Sequence, residues 1–212
     1  MRTFLFDIDG TLVDSSAVVE RAWRQVAEEF GVDADTVLAH CHGRRSVDTV
    51  QEFFSPHDRA AAQVRIDALE LADREVVACR GAAELLATLD GGPWAAVTSG
   101  PRQLMTARLA AAGLPRPAVL VTAEDVRHGK PAPDGYLMAA RALGVAATDC
   151  VVVEDSPAGV EAGKAAGPLV AAVTTTHPAA ALQAADLVVA GLPEVAEALG
   201  YSVLDGKVLD GN

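Results

Sequence analysis

The stretch "TFLFDIDGTLVDSS", residues 3–16, decides how the rest of the chain is read. Residues 3–8 have the continuous rather than alternating apolar character of a strand covered on both faces. The run carries two acids to its tip, Asp7 and Asp9, and then meets Gly10, which lets the backbone turn away closely. A D-x-D-G tetrad taken alone serves equally well to cap a turn. The other strand ends must therefore decide whether these carboxylates are chemistry or punctuation.

Five further apolar runs resemble the first: 94–98, 118–122, 150–154, 168–173 and 186–189. Helical segments with clear boundaries lie between most of them. "GPRQLMTARLAAAG" places Pro101 at a first helical position and Gly113 as a stop, and "SPAGVEAGKAAG" repeats the device with Ser156, Pro157 and Gly167. Strands alternating with helices predict an α/β fold, a doubly wound Rossmann-like parallel sheet. Residues 15–80 break the alternation. They are charged, strand-poor and helix-periodic, as in "VVERAWRQVAEEFG", and Gly81 then precedes the next core helix. The prediction is a discontinuous core, 1–14 and 81–212, carrying a helical insert over 15–80. Ser15 and Ser16 are candidate caps for its first helix, and the tail "VLDGKVLDGN" reads as a loose end.

Composition narrows the function classes. The 212 residues suffice for a sizeable domain with an insert, half are hydrophobic, and only 4% are aromatic. The net charge of −12 argues against nucleic acid, whose binders displace counterions with basic surface, and against an anionic membrane surface. No apolar run approaches the length of a membrane span, and Asp7 and Asp9 interrupt the one stretch that could start a secretory segment. Cys41, Cys79 and Cys150 are odd in number and widely spaced, which reads as free thiols in a reducing cytoplasm. An acidic polar chain of this size is expected to be monomeric.

In open α/β sheets ligands bind beyond the carboxyl ends of the strands. The first strand ends at Asp7 and Asp9, the second at Thr98 and Ser99, and the fourth at Glu154 and Asp155, while Lys130 sits in the proline-stiffened loop "RHGKPAP". If these strands are neighbours, the residues converge. Clustered carboxylates repel one another, and oxygen-only ligands favour a hard ion such as Mg2+. A lysine, a hydroxyl and nearby N–H donors suit a phosphoryl group. An aspartate is ionised at neutral pH, so Asp7 can attack phosphorus without a base. Asp9, two residues on, can protonate the leaving alcohol and later take a proton from water, provided that it carries a proton at the start.

With these residues in order, "DIDGTLVDS", "VTSG", "GKPAPDGYL" and "VVVEDSPAGVEAGKAAG" resemble the four motifs of the haloacid dehalogenase superfamily. The resemblance implies Asp7 as nucleophile, Asp9 as acid/base, and Thr98, Ser99 and Lys130 as phosphate ligands. It implies Mg2+ held by Asp7, the Asp9 carbonyl and Asp155, with Glu154 at or near the metal. The insert then resembles the small helical cap of that family. Its loop "HCHGRRSVDTV" is similar to the His-Gly-x-Arg-Thr loop of the glycerol-phosphate and deoxyglucose-phosphate phosphatases, with His42, Gly43 and Arg45 matching and Ser46 replacing threonine. Those three residues are expected to touch substrate.

The reading that follows is a Mg2+-dependent phosphatase acting on a small phosphorylated polyol or sugar. A sugar phosphomutase of the same fold, similar to the β-phosphoglucomutases, is the runner-up. Its far-end phosphate needs basic cap residues, and residues 15–80 contain no lysine. A non-catalytic phosphoester-binding protein is a third reading, disfavoured because mere binding has no need of Asp9. Of the remaining signals, "HCH" at 40–42 lacks a second ligand cluster, Trp23 and Phe30 read as insert core, and His57, His128 and His177 read as surface residues.

Overall fold

The computed structural model describes residues 2–89, 92 and 94–201, so the 203–212 tail lies outside the described residues. In chain order the elements are β1 (Thr3–Phe6), β2 (Val13–Asp14), α1 (Ser16–Phe30), α2 (Ala34–Cys41), α3 (Ser46–Phe53), α4 (Arg59–Ala72) and β3 (Val77–Ala78). Then follow α5 (Ala82–Thr88), β4 (Trp94–Val97), α6 (Arg102–Ala111), β5 (Val119–Val121), α7 (Asp134–Ala142), β6 (Cys150–Glu154), α8 (Pro157–Ala166), β7 (Leu169–Val173), β8 (Leu187–Val189) and α9 (Leu192–Ala198). All six predicted strands form, shortened by a residue or two at half of their ends, and they pair in parallel in the order β5-β4-β1-β6-β7-β8.

Alternation along β1 explains the layers. Phe4 and Phe6 point to one face, where they meet Leu85 and Leu86 of α5, Leu104, Met105 and Leu109 of α6, and Val195 of α9. Leu5 points to the other face, where Tyr136 of α7 and Val160 of α8 cover the sheet. Both faces are thus buried, which is why the strands read as continuous apolar runs. The α8 boundaries match the sequence reading: the Ser156 side chain accepts from the Gly159 N–H, Pro157 opens the helix, and Gly167 ends it at φ 96°. At α6, Pro101 is the cap and not the first helical residue. Its extended ψ of 149° leaves Arg102 to begin the helix.

Between β2 and β3, α1–α4 pack on one another around Trp23, Val26, Val37, Phe54 and Ile66. Trp23 and Phe30 both approach Phe54, with ring centroids 6.4 and 6.0 Å away. The two short strands at the base of this segment pair antiparallel, Val13 with Ala78 and Asp14 with Val77. Sequence patterning misses them because two residues carry no periodicity. Ser15 stands at the α1 cap position, but its side chain caps nothing there. It donates instead to the Asp9 carboxylate, a stronger acceptor than a backbone group. Among the described residues no helix is long and apolar enough to cross a membrane.

Candidate active site

β1 bonds to β4 on one side and β6 on the other, so three carboxyl ends meet. The chain winds outward from β1 through β4 to β5, then returns to β6 and winds the other way, which makes the β1/β6 boundary the switch point of the sheet. Asp7 follows β1, and its N–H donates to the Val153 carbonyl at 3.0 Å. Thr98 follows β4, and its N–H donates to the Val121 carbonyl at 2.9 Å. Glu154 closes β6, and Asp155 comes next.

Asp7, Glu154 and Asp155 are buried, and each offers an oxygen within 4.8 Å of the others. Lys130, from the loop before α7, reaches in among them. Its Nζ contacts the Asp7 carboxylate, lies 2.6 Å from Glu154 Oε1 and donates to the Val97 carbonyl at 3.2 Å. Glu154 is saturated. Oε1 also accepts from the Tyr136 hydroxyl at 2.7 Å, and Oε2 accepts from the N–H groups of Asp155 and Ser156 and from the Ser156 hydroxyl. Burial works to raise the Glu154 pKa, yet Lys130, Tyr136 and the Asp155 N–H hold it below the usual carboxylate range. Burial pushes Asp7 up to about 8, against the pull of Lys130, with Glu154 adding to the rise. Asp155 is driven well above the ordinary range by burial first and then by Glu154 and Asp7. For Lys130 burial works downward, but Asp7 and Glu154 prevail and raise it.

Three buried carboxylates thus share one buried lysine. That shortage of positive charge, with a donor set made only of oxygens, suits a hard divalent cation. Asp155 is held for such a role by residues that the motif reading passed over. Thr11 donates to its Oδ1 at 3.4 Å, Thr176 contacts its Oδ2, and His177 Nδ1 lies 3.1 Å from its carbonyl. His177 is therefore a half-buried neighbour of the cluster and not a surface residue. Gly10, at φ 80°, passes so close that a Cβ there would stand 2.2 Å from Asp155 Oδ2, so the turn after Asp9 admits only glycine.

Asp9 is oriented from two sides, by the Ser15 hydroxyl at 2.8 Å and by Arg108 Nη1 at 2.7 Å. Arg108, on α6, is 3% exposed. Its Nη2 stands 3.6 Å from Oε1 of Glu70, on α4, an ion-pair distance too long for a hydrogen bond. Burial raises the Glu70 pKa to about 7 despite Arg108, with Asp9 and Asp67 adding to the rise. A carboxyl whose folded pKa lies above its unfolded value contributes its full share of stability below the unfolded pKa and loses it as pH climbs through the folded one. Wild type should therefore lose on the order of 1–3 kcal/mol relative to Glu70→Gln between about pH 4.5 and pH 8. Paired denaturant titrations across that range measure the difference, and a flat difference would refute the assignment.

The loop of the insert closes onto the core. The Ser99 hydroxyl donates to the Gly43 carbonyl at 2.8 Å, and a Cβ on Gly43 would stand 2.0 Å from Ser156 Oγ. Thr98 is buried, and its Oγ1 accepts from the Gly100 N–H at 3.1 Å. His42 and Gly43 line the cleft that reaches Asp7. Arg45 does not join them. Asp48 holds its guanidinium at 2.7 and 2.9 Å, Nη1 donates to the Arg127 carbonyl at 3.3 Å, and the side chain lines a separate hollow behind Lys130. Arg44 lines the cleft instead, paired with Glu52 at 2.7 Å.

Comparison with known proteins fits this geometry. A family model described as haloacid dehalogenase-like hydrolase matches residues 1–167. The chain is 46% identical over 198 residues to hexitol phosphatase A of Escherichia coli (strain K12), covering 91% of this chain and 92% of that protein. It is 32% identical over 216 residues to 2-deoxyglucose-6-phosphate phosphatase 1 of Saccharomyces cerevisiae, covering 90% and 88%. The crystal structure of a HAD-family hydrolase from Deinococcus radiodurans R1, with bound phosphate and sodium, superposes with a TM-score of 0.71 at 32% identity, covering 94% of this chain and 95% of that one. The buried acid–lysine cluster at the switch point and a family match across most of the chain lead to one conclusion: the protein belongs to the haloacid dehalogenase-like hydrolases.

Proposed function

We propose that the protein is a Mg2+-dependent phosphatase that hydrolyses small phosphorylated polyols or sugars through an aspartyl-phosphate on Asp7. Residues 1–14 and 81–212 act as the catalytic core, and residues 15–80 as a cap that selects the substrate. The observation that carries this reading is the contact of buried Lys130 with Asp7 beside Glu154 and Asp155. The names of the hexitol and deoxyglucose-phosphate phosphatases support the substrate class.

Asp7 attacks phosphorus as the carboxylate, the form that the Lys130 ammonium favours, the bond to the ester oxygen breaks, and the departing oxygen takes a proton from Asp9. Water then attacks phosphorus, Asp9 accepts its proton, the bond from phosphorus to the Asp7 oxygen breaks to return the carboxylate, and inorganic phosphate leaves. Lys130 and Thr98 hold the phosphoryl oxygens. Ser99 joins them when its hydroxyl exchanges the Gly43 carbonyl for phosphate. Asp7, Asp155, Glu154 and the Asp9 carbonyl would hold Mg2+, which supplies positive charge against the negative charge of the phosphoryl group. His42 and Gly43 meet the substrate at the mouth of the cleft, and Arg45 reaches it only when the cap shifts and Asp48 lets go. We further infer a cytoplasmic monomer, on the free cysteines and the net charge of −12.

Phosphate release from glycerol, hexitol, hexose and pentose phosphates tests the reading, with nucleoside monophosphates as outgroup. Chelation should cut the rate by roughly 100-fold or more, and Mg2+ should restore it. Undiminished release in chelator would remove the metal from the reaction. A trapped bisphosphate with little free phosphate would instead make the enzyme a mutase.

A further inference from the structure

We propose that Arg108 and Glu70 form a hydroxyl-reading pair, the guanidinium donating to and the carboxylate accepting from adjacent hydroxyls of the substrate chain beside the scissile ester. The inference rests on the phosphatase reading and deepens it. Both residues line the cleft that reaches Asp7, side by side, Arg108 on α6 of the core and Glu70 on α4 of the cap. Arg108 spends Nη1 on Asp9, while Nε and Nη2 have no hydrogen-bond partner among the described residues. Buried N–H donors without a partner are rare because the desolvation is uncompensated, and here they belong to a residue that lines the cleft.

Position and charge define the ligand. Asp9 serves the ester oxygen, so the atoms just beyond that oxygen are the ones that meet its neighbour Arg108. Around Arg108 stand two carboxylates, Asp9 and Glu70. With Asp9 carrying the proton that it gives the ester oxygen, Arg108 and Glu70 make a balanced pair, which offers little to a second anionic group. It suits neutral hydroxyls, each of which accepts from the guanidinium and donates to a carboxylate. Val19, Trp23, Leu104 and Met105 line the same cleft and offer apolar surface to the carbon chain. The fit is therefore to a monophosphate with hydroxyls on the carbons next to the ester, and it disfavours bisphosphates and phosphorylated acids.

The test compares kcat/KM for a hexitol 6-phosphate with that for a hydroxyl-free alkyl phosphate, in Mg2+, for wild type, Glu70→Gln and Arg108→Lys. The polyol-to-alkyl ratio should fall roughly 10- to 100-fold in each variant, the range of a hydrogen bond to a charged group, with the loss mainly in KM for Glu70→Gln. A ratio within twofold of wild type, or an equal fall on both substrates, overturns the pair as a reader. A measurement on wild type alone stands behind this should a variant fail to fold. The analogue lacking the hydroxyl next to the phosphorylated carbon should lose a similar factor, and a hexose bisphosphate should be poorer than its monophosphate. Equal rates for these esters likewise overturn the proposal. Wild type that releases phosphate from no ester defeats the phosphatase reading itself, whereas an active enzyme with unmoved ratios defeats only this inference.

Discussion

Asp7→Asn should lower kcat by roughly 1000-fold or more, since loss of an attacking group removes the step that all later ones depend on. The substitution is nearly isosteric. The Asp7 N–H still donates to the Val153 carbonyl at 3.0 Å, and Lys130 keeps Glu154 at 2.6 Å, so the fold and the phosphate pocket should persist. The loss should therefore appear in turnover more than in substrate binding. Removing one of three buried carboxylates also relieves their mutual repulsion, so the variant should be no less stable than wild type. Two measurements check the claim: steady-state kinetics on a hexitol phosphate, and mass spectrometry of acid-quenched wild type. The second should reveal one added phosphoryl group, mapped to Asp7. Full activity in the variant, or a phosphoryl group on another residue, would remove Asp7 as nucleophile.

The first strand explains why so much of this site could be read from sequence. Its apolar run had to be continuous because helices cover both faces, and its two acids had to sit at the tip because only the tip is open. The same logic exposes Thr98 after β4 and Glu154 at the end of β6. What it could not supply was pairing. That β4 and β6 both flank β1 is a fact of topology, and the register Phe6 to Ala96 and Phe6 to Val153 brings the ends level. Arg108 and Glu70 were legible in a weaker way. Arg108 shares the buried face of α6 with Leu104 and Met105, and Glu70 that of α4 with Ala62 and Ile66. A charge on an apolar stripe is a signal, but it points to a buried partner without naming one. Arg45 shows the opposite case, a motif position whose side chain is engaged elsewhere. Its motif position suggests a substrate contact, and in this structure Asp48, in the first turn of α3, holds the guanidinium that Arg45 presents from the extended cap position.

Lys130→Met should be the most damaging single change to stability near the site. Met fills much of the same volume, so the effect isolates the charge. Glu154, 0% exposed, would then keep the Tyr136 hydroxyl and its three donors from Asp155 and Ser156 but lose the only cation paired with it among the described residues. Leaving a buried ion without its partner costs about 3–5 kcal/mol, a large part of the roughly 5–15 kcal/mol that holds a domain folded. In chelator the melting temperature should fall by roughly 6–20 °C, with phosphatase activity lost because the phosphoryl group has no cation beside Asp7. A second substitution separates charge from packing. If the damage is the orphaned anion, Lys130→Met with Glu154→Gln should recover part of the loss, since an uncharged amide no longer needs the ammonium. If the damage were lost packing, the double variant would be worse than the single one. A single variant that melts with wild type would mean that Lys130 does not offset the buried carboxylates at all.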